Sequence, residues 1–303
     1  MAYRPPSRAS RGRPRRKRPR WVRKATLRRF ARSGRRLSRA CRRLASSARR
    51  SIRALRTAPP SIRVLAVAVV LLVIWAAANW AYQAIRKPTE LFFPVSGALA
   101  KAPDETWRSY QPLFDEHSTA ALSPEFLAAL AQVEGAGNPL ARTYWRWRPV
   151  MNPFEVYRPA SSAVGMYQIT DATFVEAKRY CIHDHMVVET GGWLDLSACW
   201  FNGLYSRVVP SHAIEMTSAL LDHRVASAIA RRRAAGATSG QRQDLAAVIH
   251  LCGAAAGDAY VARGFRPGPG QRCGDHDVGA YLARVNAMKR RFARMAETGN
   301  PGL

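Results

Sequence analysis

A run of 22 residues without charge, Val64–Ile85, constrains the fold of this chain more than any other feature. A helix needs about 20 consecutive apolar residues to cross the hydrocarbon core of a bilayer. The first half of the run is almost purely aliphatic, and Trp75, Trp80 and Tyr82 follow where amphipathic rings favour the membrane interface. The run predicts a single transmembrane helix. A buried core helix is the alternative, and the lack of a polar face argues against it.

The positive charge is concentrated before this run. Residues 1–63 contain 24 Lys and Arg and no acidic residue, whereas the other 240 residues contain 24 basic and 20 acidic ones. This asymmetry argues against a uniformly basic protein of the ribosomal type. Proline and charge repulsion oppose packing, so 1–63 is predicted to be a largely disordered basic tail. The spacing over about 25–55 also fits an amphipathic helix on a membrane surface.

The same charge distribution orients the predicted span. Lys and Arg accumulate on the cytoplasmic side of membrane helices. The tail should therefore be cytoplasmic, and the chain after Ile85 should lie on the opposite side of the membrane. The 63 preceding residues are far too many for an ordinary signal peptide, which favours an uncleaved anchor. We expect the tail to bind anionic lipid headgroups, and we expect no specific nucleic acid, although Arg-rich segments bind phosphate generally.

Four of the five cysteines lie beyond the span, at Cys181, Cys199, Cys252 and Cys273, and Cys41 lies in the tail. Four cysteines allow two disulfides in an oxidising compartment. Each sequential pair brackets one loop-rich stretch, which favours Cys181–Cys199 and Cys252–Cys273 among three possible connectivities. Zinc is the alternative, and the lack of a C-x₂-C hairpin argues against it.

The part beyond the span divides by composition into a linker and a helical domain. Residues 86–120 contain four prolines among mixed polar residues and are predicted to be a juxtamembrane linker, with regular structure beginning near Leu122. Beyond it, helical patterns cover about 123–134, 171–180, 211–232, 242–256 and 277–296. No segment sustains a two-residue alternation, so a mostly α domain is predicted over 121–297.

Glu134 and the run 161–169 carry the chemical signal. The helix that contains Glu134 should end there, because Gly135-Ala136-Gly137-Asn138-Pro139 follows. Negative charge at a helix C-terminus opposes the helix dipole, so the position is poor for a structural Glu. Beside the apolar face of that helix the carboxyl would be partly desolvated, which favours the protonated form that a general acid needs. A solvated Glu near a helix end is the alternative.

Together these two motifs resemble the soluble lytic transglycosylase (SLT) domain family. The chain reads Leu-Ala-Gln-Val-Glu-Gly-Ala-Gly-Asn-Pro over 130–139 and Ser-Ala-Val-Gly-Met-Tyr-Gln-Ile-Thr-Asp-Ala-Thr-Phe over 162–174. The family has a lysozyme-like α fold, a helix that ends in the catalytic Glu before Ser and Asn-Pro, and a later Gly-Ala-x-Gly-Leu-Met-Gln-x-x-Pro-x-Thr run. Glu134 falls on the catalytic Glu. The resemblance covers about 122–180, and 240–290 more loosely.

The chain departs from the family pattern at several positions. Gly135 replaces the Ser after the catalytic Glu, and the stretch between the two motifs is longer than usual. Within the second run, Ser162 replaces the first Gly, Met166 the Leu and Tyr167 the Met. These departures affect the expected details of substrate binding more than the expected fold or acid.

Two later segments match the family loosely and complete the expected sugar site. The family's Ala-Tyr-Asn-Ala-Gly segment is matched near 247–253 only by Val-Ile-His-Leu-Cys-Gly, which puts His250 at the Tyr position. Tyr281-Leu282-Ala283-Arg284-Val285 resembles the late Tyr-Val-x-x-Val, whose Tyr lies near the catalytic Glu. The expected substrate-binding residues are Ser162, Met166, Tyr167, Gln168, His250 and Tyr281.

The resemblance implies cleavage of the β-1,4 bond between N-acetylmuramic acid and N-acetylglucosamine in peptidoglycan. Glu134 would protonate the glycosidic oxygen and then act as base on the sugar 6-hydroxyl, which closes a 1,6-anhydro ring; no metal or other cofactor is implied. Lysozyme-type hydrolysis would need a second carboxylate, for which Glu155 and Asp171 are the nearest candidates. The alternatives are such a hydrolase and a catalytically weak peptidoglycan-binding scaffold of an envelope-spanning complex.

The Trp-, Arg- and Pro-rich segment 142–159 is predicted to be an ordered loop over a binding face. Its aromatic residues either stack on sugar rings or pack the loop itself: Tyr144, Trp145, Trp147 and Tyr157. Two segments imitate metal sites, 183–185 and 273–277. The first reads better as polar loop residues beside a disulfide, and the second is too short for a calcium loop.

Overall fold

The predicted span lies within a longer helix, α1 (Pro60–Arg86), in a computed structural model that describes residues 57–191 and 199–299. This helix is long and apolar enough to cross a membrane, judged by length and composition. The chain divides into two units, 1–75 and 76–303. Nearly all of the basic tail, with Cys41 and the possible surface helix over 25–55, lies outside the described residues.

The segment predicted to be a linker is folded instead. Two 3₁₀ turns, Pro88–Phe92 and Gly97–Leu99, flank α2 (Phe93–Ser96), and α3 (Pro103–Glu116) follows. The prolines of this segment had suggested breaks in regular structure. Proline is tolerated at the start of a helical element, however, because its missing N–H would have no partner there. Helix α3 buries Trp107 and Phe114 in the main core. Regular structure therefore begins well before Leu122, and much of the segment predicted to be a linker is helical.

The rest of the described chain is mostly helical, as predicted. Helix α4 (Pro124–Gly135) lies at the centre, with Phe126–Ala131 all buried, and it packs against α3 and α9. The other helices are α5 (Asp171–Ala177), α6 (Pro210–Arg232), α7 (Ser239–Cys252), α8 (Ala254–Ala262) and α9 (Val278–Thr298).

Helix ends differ from the predicted ones where the backbone changes conformation. The helix predicted over 242–256 is two helices, because Gly253 has φ +85° and separates α7 from α8. Only glycine adopts such a backbone without strain. The helix predicted over 171–180 ends at Ala177 and is followed by a strand.

Three short antiparallel hairpins accompany the helices in the described part of the chain. They pair β1 (Trp145–Trp147) with β2 (Tyr157–Pro159), β3 (Tyr180–His183) with β4 (Met186–Glu189), and β5 (Arg272–Cys273) with β6 (His276–Asp277). Strands of two to four residues are too short to show an alternating sequence pattern. The predicted loop 142–159 therefore contains the β1–β2 hairpin.

Both predicted disulfides are present. Cys181 is bonded to Cys199 and Cys252 to Cys273, and each pair has its Cα atoms 5.5 Å apart. The first bond ties β3 to the 3₁₀ turn Trp200–Leu204, and the second ties the end of α7 to β5.

Candidate active site

Helix α4 carries Glu134 in its last turn. The helix begins as predicted, because the Ser123 hydroxyl accepts a hydrogen bond from the Phe126 amide and Pro124 occupies the first turn. It ends where Ala136 turns into the left-handed conformation at φ +50°. The Glu134 side chain is 16% exposed, so it is partly desolvated yet open to a ligand.

Tyr281, in the first turns of α9, donates a hydrogen bond from its hydroxyl to Oε1 of Glu134. The packing of α9 on α4 brings together two residues that are 147 positions apart in the chain. Burial, followed by the nearby Glu134 charge, raises the pKa of Tyr281 well above its usual value. The hydroxyl therefore keeps its proton and stays a donor to the carboxylate.

His250, in the last turn of α7, faces the same oxygen. Its Nε2 lies 3.8 Å from Oε1 of Glu134, and its side chain is 12% exposed. This distance exceeds that of a direct hydrogen bond but lies within reach of an ion pair when the imidazole is protonated. Glu134 thus has Tyr281 and His250 around one carboxylate oxygen.

Gly135 lets the run 163–169 pack directly on the end of α4. A Cβ at this position would lie 2.8 Å from both the Cα and the carbonyl oxygen of Met166. Such contacts are with backbone, which cannot rotate away, so a larger residue would push the run off the helix. Gly135, which stands where the family pattern has Ser, is therefore required by the packing in this chain.

The run itself is a tight loop held by its own backbone. Val164 and Ile169 exchange two backbone hydrogen bonds of 3.2 and 3.0 Å, and Gly165 turns the chain at φ +82°. Gln168, at φ +48°, donates from its side-chain amide to the Gly165 carbonyl at 2.9 Å. Gln168 and His250 both line a small cavity of about 60 Å³. The loop therefore presents Gln168 on the same side as the residues around Glu134.

Met166 and Tyr167, predicted to bind substrate, belong to the core in this structure. Both residues are completely buried. The Tyr167 hydroxyl donates to the Leu127 carbonyl on α4 at 3.1 Å, and burial raises the pKa of Tyr167 well above its usual value. Their side chains have no exposed surface in this structure and so do not line the site. They fasten the run to α4 instead.

Ser162 also lies apart from the Glu134 cluster. Its hydroxyl accepts from the Asp171 amide at 3.1 Å, which caps the start of α5, and its carbonyl accepts from Arg207 at 3.1 Å. Ser162 faces a separate cleft of about 390 Å³ that Lys87, Asp171 and Arg207 also line. Its contacts are structural and do not assign it to substrate binding.

The aromatic residues of the β1–β2 hairpin divide between packing and exposure. The Tyr157 ring lies between those of Trp145 and Trp147, with centroids 5.2 and 4.7 Å away. Trp145 also donates from Nε1 to the buried carboxylate of Glu90 at 3.0 Å. Tyr144 is 63% exposed, and its hydroxyl lies 3.4 Å from the Asp275 carboxylate in the β5–β6 hairpin.

The two candidate second carboxylates are engaged in ion pairs. Glu155 pairs with Arg86 at 2.7 Å and with Arg158 at 3.2 Å. Asp171 pairs with Arg207 at 2.8 Å. Neither contacts Glu134 in the described structure. Among the described residues, no group of three or more His, Cys, Asp and Glu is placed to hold a metal ion.

Sequence reasoning missed the support that α3 gives to the turn after Glu134. A Cβ on Gly137 would lie 2.2 Å from the Thr106 hydroxyl, which itself donates to the Gln132 side chain at 2.6 Å. Thr106 is fully buried, and it lies in the segment that was assigned to the linker. The signal that could have found α3 is Pro103 followed directly by two acidic residues, the usual composition of a helix start.

Comparison with known proteins finds no matching family model, no matching curated protein and no matching solved structure.

Proposed function

We propose that this chain is a membrane-anchored lytic transglycosylase with a lysozyme-like domain, which cleaves the β-1,4 bond between N-acetylmuramic acid and N-acetylglucosamine in peptidoglycan. The observation that carries the proposal is the hydrogen bond from Tyr281 to Glu134. The family resemblance pairs a late Tyr with the catalytic Glu, and these two residues come into contact across 147 positions. Helix geometry alone gives no reason for this pairing.

The reaction uses one carboxyl group twice. Protonated Glu134 donates its proton to the glycosidic oxygen, the bond from C1 to that oxygen breaks, and the substrate's N-acetyl oxygen stabilises the positive charge at C1. The Glu134 carboxylate then takes the proton of the 6-hydroxyl while O6 bonds to C1, which restores the acid. Tyr281 stabilises the carboxylate formed between the two steps, because it donates to Oε1 and retains its proton.

The arrangement of carboxylates supports this route over lysozyme-type hydrolysis. Hydrolysis of that type needs a second carboxyl group across the scissile bond. Glu155 and Asp171 are held by arginines and do not contact Glu134 in the described residues. Gln168, which lines the same small cavity as His250, is proposed to hydrogen-bond a sugar N-acetyl or hydroxyl group.

The location proposed for the domain is the periplasm, with α1 as a single-pass anchor in the inner membrane and the basic tail on cytoplasmic anionic lipids. The apolar length of α1 supports an anchor, and the two disulfides suit an oxidising compartment. The proposed partners are peptidoglycan strands and, for an anchored enzyme of this kind, an envelope-spanning complex.

The test is mass spectrometry of peptidoglycan after incubation with the full chain in detergent micelles. We expect 1,6-anhydro products, lighter by one water than hydrolytic products, and none with Glu134→Gln. Tyr281→Phe should slow turnover about 10- to 100-fold, which is the value of one hydrogen bond to a charged group. Glu155→Gln, a change at a carboxylate away from the cluster, is the matched control and should keep full activity.

Other results would change the assignment. Products with reducing ends would show a hydrolase and a second carboxyl group. Peptidoglycan binding without any products, from the unmutated chain, would show a scaffold. Full activity of Glu134→Gln would remove the proposed acid.

A further inference from the structure

The β1–β2 hairpin is fastened to the last turns of α1 by hydrogen bonds to its backbone. The Asn79 amide donates to the Tyr157 carbonyl at 2.8 Å, and the Gln83 amide donates to the Phe154 carbonyl at 2.6 Å. Both amide-bearing residues are buried, at 2% and 6% exposure. The Tyr82 ring lies 5.5 Å from the Phe154 ring. One side of the hairpin therefore lies along the helix.

Charged residues at the end of α1 and just after it extend this attachment. Arg86 pairs with Glu155 at 2.7 Å, and Lys87 donates to the Ala163 carbonyl at 2.9 Å. Glu90 is completely buried and accepts from Arg142 at 2.9 Å, in addition to its bond from Trp145. An attachment with this many partners holds the hairpin in one position relative to the end of the helix.

The positions of these contacts along α1 indicate how deep the hairpin lies relative to the membrane. A helix crosses the roughly 30 Å core of a bilayer in about 20 residues. Counted from Val64, which follows the last charged residue before the apolar run, about 20 residues end at Gln83. The helix turns that hold the hairpin are thus the ones that complete the crossing. Buried side-chain N–H groups would be costly there unless paired, and the hairpin carbonyls accept hydrogen bonds from those of Asn79 and Gln83.

The tip of the hairpin has a surface that suits this depth. Met151 is 100% exposed, Trp147 66% and Val150 39%. Arg146 and Arg148 alternate with the tryptophans on β1 and just after it. Exposed apolar and aromatic side chains interleaved with arginines are typical of segments in a membrane interface, where rings and aliphatic groups enter the acyl region and cations meet phosphates.

We propose that the tip of the β1–β2 hairpin, residues 147–151, is inserted in the interface of the leaflet in which α1 ends. The partner is the lipid of that membrane, and the proposal rests on the proposed crossing by α1. The domain then contacts the bilayer at two places, the helix and the hairpin tip.

The test uses the full chain in vesicles of phosphatidylethanolamine and phosphatidylglycerol. A Cys41→Ser background carries one new cysteine with an environment-sensitive fluorophore, at Met151→Cys, Leu71→Cys or Ala235→Cys, labelled without reducing agent so that the disulfides persist. Fluorescence is quenched by phospholipids with a nitroxide either near the headgroup or deep in the acyl chain. Met151, Leu71 and Ala235 are all exposed, so labels should not disturb packing.

Ala235 is the matched control because it is exposed and lies outside the hairpin, just after α6. It follows α6, whose first residue comes three positions after Arg207, and Arg207 contacts the Ser162 carbonyl near the base of α1. Because α6 has 23 residues, its two ends lie about 33 Å apart. This label should stay in water.

We expect the label at 151 to be quenched severalfold more by the shallow nitroxide than the label at 235, and the label at 71 to be quenched best by the deep one. Quenching at 71 with the labels at 151 and 235 alike would overturn the hairpin contact and leave the anchor standing. No quenching at 71 would overturn the crossing, and the hairpin contact with it. Equal strong quenching at 151 and 235 would mean unspecific adsorption and would also overturn the proposal.

Discussion

The surroundings of Glu134 and the segment 76–117 are assembled by different physical means. Around Glu134, backbone packs directly on backbone, because Gly135 and Gly165 leave no room for a side chain. In segment 76–117, polar side chains reach across to distant carbonyls and charges, as Asn79, Gln83 and Glu90 do. The first arrangement requires glycine at particular positions, so it can be recognised in the sequence. The second uses residue types that occur everywhere, and so leaves little trace in it.

The largest expected effect is that of Gly165→Ala, in the surroundings of Glu134. A Cβ there would lie 2.4 Å from the Arg207 carbonyl oxygen, on a backbone at φ +82°. The strain and the clash together should lower the free energy of unfolding by about 3 kcal/mol or more and displace Gln168. The change is measured by thermal unfolding of the full chain in detergent.

Gly253→Ala separates the two causes of that loss. Gly253 has a similar φ of +85°, but a Cβ there meets nothing within 4 Å. Only the backbone strain remains, so the loss should be about 1–2 kcal/mol. Equal losses in the two variants would show that close backbone packing is not what assembles the surroundings of Glu134.

A smaller effect is expected from Glu90→Gln, in segment 76–117. The change keeps the shape of the side chain but removes a completely buried charge that faces Lys87 and Arg142. Two partly buried cations are left without their counter-ion, which should cost about 2–3 kcal/mol, or a fall of about 5–10 °C in Tm.

Glu155→Gln is the control for Glu90→Gln, because Glu155 also faces two cations but is 25% exposed. Solvent screens its pairs, so the loss should stay below about 1 kcal/mol. If both variants lost equally little, the attachment of α1 would not depend on buried charge, and the contrast between the two regions would fail.

The smallest expected effect is a dependence on pH through His117, at the end of α3. Burial lowers the pKa of His117 from its usual 6.5, against the opposing charges of Glu215 and Glu116. The folded state therefore binds this proton less readily than the unfolded chain, so its stability is kept above about pH 6.5 and declines as the pH falls below that value.

His117→Gln should reduce this decline, seen as a smaller Tm difference between pH 7.5 and pH 5.0. We expect an effect of at most about 2–4 °C, the equivalent of 1 kcal/mol in a domain of this size. His276→Gln changes an exposed histidine and should leave the difference as it was. If the pH dependence of Tm were unchanged in His117→Gln, the burial of His117 in segment 76–117 would not contribute to the loss of stability at low pH.

Local signals made the start and end of α4 predictable. Ser123 and Pro124 begin it, the glycines after Glu134 end it, and all of these act within one helical turn. The two disulfides followed from a simple order of cysteines. The position of Tyr281 beside Glu134 came from the family resemblance, because nothing in the residues near either one indicates the other.

The inward direction of Met166 and Tyr167 was not predictable from residue type. Positive φ angles at Gly165 and Gln168 turn the run so that the two side chains between them enter the core. Helix α3 was missed because its prolines at 103 and 112 suggested a linker. Its stability depends on tertiary burial of Trp107 and Phe114, which no local pattern shows.

The Cys252–Cys273 bond links the formation of the site to the oxidation of the chain. Cys252 lies two residues after His250, and Cys273 is in the hairpin that leads into α9 and Tyr281. This covalent link joins the two segments that carry the groups around Glu134. In a freshly made chain with reduced cysteines, only the intervening stretch 253–272 would link these segments covalently. Under the proposed function and location, the site would be completed only after export and oxidation, in the compartment that holds the proposed substrate.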